Sequence, residues 1–236
     1  MQLADLSVVI PVYNEEKNIF LLIDEVIKTV DKNCKNFEIV VVNDASTDNT
    51  VSEFKKKNYP KIVRLINNYK NYGQSKSIYE GVKASKYNII VTLDGDGQNN
   101  PININDLVET YILNPNICLV GGIRKKRNDN YWRLFISRIA NSIRTFILDD
   151  KCIDTGCGLK VFNREIFLQL PYFNGIHRYL PALFLAKGCI TKFQDVQHRP
   201  RLNGYSKYGT LSRGLKGIRD LIKVVKIIKK IKKNNV

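Results

Sequence analysis

"YNIIVTLDGDGQNNP", residues 87–101, is the stretch on which the reading of this chain turns. Its first half, "NIIVTLD" (88–94), is a short, uninterrupted, β-branched apolar run, the pattern of a strand covered on both faces. Its second half sets Asp94 and Asp96 one residue apart at the strand's carboxyl end, with Gln98 two residues further on. Asp, Gly and Asn are turn formers, so a plain polar turn is one reading. The other is a cation site: two carboxylates and an amide carbonyl, completed by a ligand's phosphates, are how Mg²⁺ or Mn²⁺ is usually held. A calcium EF-hand loop does not fit. With Asp94 as its first position, Asn99 stands where glycine is required and Asn105 where a bidentate glutamate is required, and a strand precedes the loop.

Four further runs share the strand pattern: "LSVVIPVY" (6–13), "FEIVVVND" (37–44), "KIVRLINN" (61–68) and "ICLVGGI" (117–123). Between them, Ile19, Leu22, Ile23, Val26, Ile27 and Val30 recur at helical spacing, and Ser75 to Ser85 is also helix-like. Strands alternating with helices predict an α/β protein with a mostly parallel sheet and right-handed crossovers. In such sheets ligands gather outside the carboxyl ends of the strands. Tyr13, Asn14 and Glu15 follow the first run, Asp44 ends the second, Asp94 and Asp96 follow the fourth, and Arg124 follows the fifth. Four polar loops therefore converge on one crevice. Neither GxGxxG nor GxxxxGK[ST] follows the first strand, which argues against a dinucleotide fold and a P-loop.

The chain of 236 residues is 44% hydrophobic, enough for a real core, and carries 38 Lys and Arg against 22 Asp and Glu, a net charge of +16. That balance points to anionic partners: nucleic acid, an anionic membrane or phosphorylated substrates. Nucleic acid predicts basic stripes interleaved with stacking aromatics, whereas here the excess charge lies in loops near the crevice and in the last helix. Cys34, Cys118, Cys152, Cys157 and Cys189 are scattered without a CxxC pair, and there are two histidines, so reduced thiols are expected rather than a zinc site. The opening residues lack the basic, apolar and small-residue regions of a signal peptide. No apolar run approaches the roughly 18 residues of a membrane span.

Four motifs in order, "VVIPVYNEEKNI", "VVNDASTDNT", "VTLDGDGQNNP" and "DTGCGLKVFNREI", resemble the family 2 glycosyltransferases of GT-A (nucleotide-diphospho-sugar transferase) fold. Within that family they are most similar to the polyprenyl-phosphate branch typified by dolichyl-phosphate mannose synthase. "HRYLPALF…HRPRLNGYSKYG" is similar to a bacterial subset of the branch, and the likeness covers about residues 5 to 209. The resemblance implies that Pro11, Tyr13, Glu15 and Asp44 line a nucleotide pocket, with Asp94 beside the nucleotide. Asp96 and Gln98 would hold Mg²⁺ or Mn²⁺; Arg124, Arg201 and Lys207 would meet phosphates; Asp154 and Thr155 would lie near the transferred sugar or acceptor. The family usually has two acidic residues where this chain has Asn43-Asp44.

Transfer to a sugar hydroxyl needs a base to take its proton. Relatives acting on saccharides carry an acid in the segment that reads "YFNGIHRYLPALF" here, yet between Glu165 and Asp195 there is no Asp or Glu. A phosphate acceptor is already ionised and needs cations instead. Arg178 is expected to help bind it, an ion-pairing arginine being the alternative reading. His177, as base or as a polar packing residue, and Asp154 are the other candidates for the catalytic role. The expected activity is therefore metal-dependent, inverting transfer from a GDP- or UDP-sugar to an undecaprenyl-type phosphate, serving cell-envelope glycan synthesis. Transfer to a saccharide or glycolipid hydroxyl and a non-catalytic anion-binding module are the alternatives.

Residues 1–209 are read as the catalytic domain and 210–236 as a basic amphipathic helix. Leu211, Leu215, Ile218, Ile222, Val225 and Ile228 or Ile231 trace its apolar stripe, with Lys216, Arg219, Lys223, Lys226, Lys229 and Lys230 mostly off it. Such a helix lies in the interface of an anionic membrane or packs on its domain with a solvated lysine face. The segment 130–148 is also amphipathic, and its Trp132 and Phe135 are candidates for lipid or core contact. The expectation is a cytoplasmic protein, peripheral on the inner face of the cell membrane.

Overall fold

The computed structural model describes residues 4–31, 34–124, 142–200 and 211–234. The strands β1 (Leu6–Val12), β2 (Phe37–Asn43), β3 (Val63–Asn67), β4 (Ile89–Thr92), β5 (Ile117–Arg124), β6 (Lys160–Asn163) and β7 (Ile190–Val196) form one seven-stranded sheet, in the order β3-β2-β1-β4-β6-β5-β7. β1 runs parallel to β2 and β4, β2 parallel to β3, and β5 parallel to β7; β6 is antiparallel to both its neighbours.

Apolar residues on both faces of the central strands explain the layering. In β1, Leu6, Val8, Ile10 and Val12 point into one core with α1 (Ile19–Val30) and α4 (Asn103–Ile112), while Val9 enters the other. That second core holds α3 (Gln74–Ala84), α7 (Leu180–Ala186) and α8 (Leu211–Asn234). α2 (Thr50–Lys56), a helix α5 over 142–148 and α6 (Arg164–Leu168) complete the elements used below.

Two strands escape the sequence reading. β6 is only four residues long and starts on a lysine, and β7 alternates exposed and half-buried residues because it is an edge strand. The run at 61–68 also differs from expectation. As the opposite edge strand, β3 buries Val63 but exposes Arg64 and only half-covers Leu65 and Ile66.

The last helix corrects a second expectation. Among its described residues, Val224 and Ile231 are buried in the second core with Leu221, Ile227 and Ile228 packed beside them, so the inward stripe keeps the expected Ile228 and Ile231 but adds Leu221, Val224 and Ile227. Ile222, counted in the expected stripe, is 55% exposed. α8 thus packs against the domain that precedes it, leaving Arg219, Lys223, Lys226, Lys229 and Lys230 exposed. α5 is turned the other way. Arg144 points inward, ion-paired with buried Asp150 and donating from Nη1 to the Cys152 carbonyl at 3.0 Å, while Ile143, Phe146 and Ile147 face outward, Phe146 at 90% exposure.

The seat of α3 on the sheet is tight. A Cβ at Gly81 would lie 2.4 Å from Val9 Cγ1 and 3.0 Å from Val42 Cγ2. Gly81→Ala gains up to about 1 kcal/mol of helix propensity, but overpacking a filled core costs about 1–3 kcal/mol. A net loss of stability is expected in urea unfolding, and an unchanged or higher midpoint would contradict this packing.

Candidate active site at the carboxyl ends of the strands

Parallel register brings the ends of β1, β2 and β4 to one edge, with Val12 opposite Asn43 and Val9 opposite Thr92. The loops after β1 and β2 clasp each other there. Asn14, in the left-handed region at φ 55°, donates its amide to Ser46 Oγ at 2.9 Å and accepts from Thr47 N at 2.7 Å. The Glu15 amide donates to Thr50 Oγ1 at 2.8 Å, and its buried carboxylate accepts from Asn18 Nδ2 at 2.7 Å. Tyr13 is half-buried at the start of this loop. Pro11 is buried on β1, its carbonyl so near the next loop that a Cβ on Gly95 would meet it at 2.8 Å.

Asp44, expected to line the nucleotide pocket, is buried and gathers the loop that leads into α3. Its Oδ1 accepts from Asn68 Nδ2 at 2.7 Å and Tyr72 N at 3.1 Å, and its Oδ2 from Gly73 N at 2.7 Å. Asp44 therefore fixes the course of the chain into α3.

The acidic loop after β4 is the centre of the site. Asp94 Oδ1 accepts from Gln74 Nε2 at 2.7 Å and its Oδ2 from Asn99 Nδ2 at 3.3 Å. Its carboxylate lies against the backbone of Gly158, where a Cβ would come within 2.2 Å of Asp94 Cγ. Only glycine leaves that space. Burial, then the charge of Asp96, push the Asp94 carboxyl up to about 6, against the pull of Lys160, Arg124 and the Asn99 hydrogen bond. Asp96 Oδ1 accepts from the Gln98 amide at 3.1 Å, an Asx-type turn that draws these two donors together.

Among the described residues no three His, Cys, Asp or Glu side chains close on one point. The donors present nonetheless suit a hard divalent cation. Asp96 and Gln98 offer oxygen ligands, and the mutual repulsion of two carboxylates is the field a cation relieves.

Arg124 and Asp154 were expected to face different ligands, and the structure joins them. Arg124 Nε and Nη2 each donate to Asp154 at 2.7 Å, and its backbone amide adds a bond at 3.1 Å. Asp154 is buried, so the pair is a fixed wall of the site. Thr155 follows it, half-buried. His177 Nδ1 lies 2.7 Å from Ser75 Oγ, which also accepts from the Gly175 amide at 2.7 Å, so the ring is tied to the start of α3. Arg178, expected at an acceptor phosphate, gives its Nη2 to Asp220 of α8 at 2.6 Å, the ion-pairing alternative. Arg201 and Lys207, like Lys125 to Arg127, Trp132 and Phe135, lie outside the described residues.

Sequence reasoning passed over Gln74, Asn99, Lys160, His198 and Arg199. Lys160 is buried on β6 and donates to the Cys157 carbonyl beneath the acidic loop. His198 pairs with Asn99 as an antiparallel bridge, and the Arg199 amide donates to the Gln98 carbonyl at 3.0 Å. A lysine between apolar residues, in "GLKVF" (158–162), was the one readable signal; the others depend on contacts distant in sequence.

The profile of Glycosyl transferase family 2 matches residues 7–170 of this chain, which belongs to that family. It is 30% identical over 223 residues to a dodecaprenyl-phosphate galacturonate synthase of Rhizobium johnstonii, covering 92% of this chain and 65% of the relative. It is 32% identical over 208 residues to an undecaprenyl-phosphate 4-deoxy-4-formamido-L-arabinose transferase of Edwardsiella ictaluri, covering 87% and 63%. The chain thus spans just under two thirds of the length of these relatives. In fold it is similar to a glucosyl-3-phosphoglycerate synthase of Mycobacterium tuberculosis solved with Mn²⁺ and UDP. The TM-score there is 0.69 at 19% identity, over 93% of this chain and 77% of that one. The GT-A fold expected from the sequence is the fold observed.

The Asp94 carboxyl yields a pH test on the ligand-free protein. Its folded pKa stands above the ordinary 3.8, at about 6. The stability it contributes is complete below the ordinary value and is lost as pH rises through about 6. Urea unfolding from pH 4 to 7.5 should show this loss, at most about 3 kcal/mol. Asp94→Asn should flatten it, and an unchanged slope would contradict the assignment.

Proposed function

We propose that this protein transfers a sugar, with inversion, from a GDP- or UDP-sugar to a polyprenyl phosphate. The observation that carries the reading is the acidic loop: two mutually repelling carboxylates beside Gln98, at the strand ends where ligands of parallel sheets gather. Asp96 and Gln98 would hold Mg²⁺ or Mn²⁺, which when bound offsets the charge developing on the leaving diphosphate. Pro11, Tyr13, Glu15 and Asp44 would form the nucleotide side of the pocket, and Asp94, held by Gln74 and Asn99, its floor. The acceptor's phosphate oxygen bonds to the anomeric carbon as the bond from that carbon to the diphosphate breaks. Because that oxygen is already ionised, no proton has to be removed. Arg201 and Lys207 would meet the phosphates, with Arg124 contributing what its ion pair with Asp154 leaves available. The names of the Rhizobium and Edwardsiella relatives, both built on a polyprenyl phosphate, support this class of acceptor.

One observation favours transfer to a saccharide hydroxyl instead. Asp220 of α8 brings a carboxylate to the segment that has none in its own sequence, although Arg178 neutralises it. A single experiment separates the two: GDP- and UDP-sugars and Mn²⁺ with undecaprenyl phosphate and, in parallel, with a glycolipid bearing free sugar hydroxyls, followed by mass spectrometry of the lipid fraction. The expected product is a sugar phosphodiester cleaved by mild acid. Asp96→Ala should lower its formation about a hundredfold or more, and Asp220→Asn should leave most of it. An acid-resistant product lost in Asp220→Asn would establish the hydroxyl acceptor. Absence of transfer from every donor would revive the anion-binding module.

The same reading places the protein at the inner, anionic face of the cell membrane. Among the described residues no helix is long and apolar enough to cross a membrane. Surface contact is supported by the exposed lysines of α8 and by Ile143, Phe146, Ile147 and Ile153, apolar side chains turned outward. At low salt the protein should sediment with vesicles containing phosphatidylglycerol far more than with purely phosphatidylcholine vesicles. Equal sedimentation would refute an electrostatic attachment.

A further inference from the structure

The chain after β7 lies along the acidic loop and is sewn to it. The Gln197 amide donates to Asn103 Oδ1 at 3.2 Å, Asn100 Nδ2 donates to Gln197 Oε1 at 3.0 Å, and Asn99 bridges His198. Arg199 completes the seam with both its backbone and its side chain. Its amide donates to the Gln98 carbonyl at 3.0 Å and its Nε to the Gly97 carbonyl at 2.6 Å. Its Nη1 and Nη2 then grip both oxygens of Glu25, on α1, at 3.2 and 2.5 Å. One residue therefore fixes two successive carbonyls of the short stretch that joins Asp96 to Gln98.

Gly97 itself sits at φ 72°, the left-handed region, so the stretch is turned sharply where Arg199 holds it. The ion pair is partly solvated, with side chains 25% and 40% exposed. Such pairs add little to stability, which leaves geometry as the quantity it sets. Charge points the same way. A bare guanidinium beside a cation site would repel the ion, and the Glu25 carboxylate cancels that charge while orienting the fork.

We propose that Arg199, anchored by Glu25, is a positioning residue that presents Asp96 and Gln98 to the divalent cation. The inference rests on the assignment of that cation to Asp96 and Gln98. Its test measures Mn²⁺ affinity directly, by electron paramagnetic resonance titration of the full chain in the presence of UDP and, separately, GDP. Melting temperatures are recorded alongside. Arg199→Ala should weaken Mn²⁺ binding about tenfold or more. Glu25→Gln should weaken it less, because the fork keeps a neutral partner, and Arg199→Lys should recover part of the loss. In transfer assays the apparent KM for Mn²⁺ should rise in parallel, while kcat at saturating Mn²⁺ stays within about twofold. Mn²⁺ affinities of Arg199→Ala and Glu25→Gln matching the parent, with Asp96→Ala abolishing binding, would overturn the positioning role and leave the cation assignment standing. Full Mn²⁺ affinity in Asp96→Ala would overturn the assignment itself. Should Arg199→Ala fail to fold, Glu25→Gln and Arg199→Lys decide by the same measure.

Discussion

Two carboxylates one residue apart repel each other, and much of this molecule is arranged around holding Asp94 and Asp96 in that condition. Lys160 lies buried on the neighbouring strand, Gln74 and Asn99 donate to Asp94, and Gly158 gives up its side chain to make room. These contacts lessen the repulsion without abolishing it, since burial and Asp96 still push the Asp94 carboxyl up to about 6. The proposed divalent-ion site would have to be stable without the ion yet gain from its arrival. Partial compensation by neutral donors and by the cations Lys160 and Arg124 suits both demands.

The site is also assembled from parts of the chain remote from one another. Asp44 at the end of β2 shapes the loop entering α3, and α3 supplies both Gln74 to Asp94 and Ser75 to His177. Segment 175–178 in turn meets α8 through Arg178 and Asp220. The loops proposed to hold the nucleotide and the acceptor are therefore linked to each other and to the basic C-terminal helix by direct hydrogen bonds and one ion pair. The lysine face of α8 is held in a fixed relation to the crevice.

Five strands, three helices and the convergence of four polar loops were legible because each rests on a local pattern: continuous apolar runs, helical spacing and turn residues at strand ends. β6 and β7 were not, since a four-residue strand and a polar edge strand carry no such pattern. The stripe of α8 was traced on its most regular apolar residues, whereas packing took in Leu221, Val224 and Ile227, kept Ile228 and Ile231, and left Ile222 exposed. A long helix rich in both isoleucine and lysine admits several such stripes, and the surface it meets selects among them. In the site, Asp94, Asp96 and Gln98 were readable as a group because they adjoin in sequence. Arg124 with Asp154, and Arg178 with Asp220, were read singly because each partner lies at least thirty residues away.

The sequence by itself determined the α/β class, the strand ends where polar residues gather and the acidic loop as the candidate place for a cation. These follow from periodicity and from residue types set side by side. Tertiary structure decided which charges remain available. It paired Arg124 with Asp154, brought Asp220 to a segment with no carboxylate of its own, and laid Arg199 across the loop between Asp96 and Gln98. Charge on a side chain is a property of sequence. Whether that charge is spent inside the protein or kept for a ligand depends on what the fold sets within about 3 Å of it.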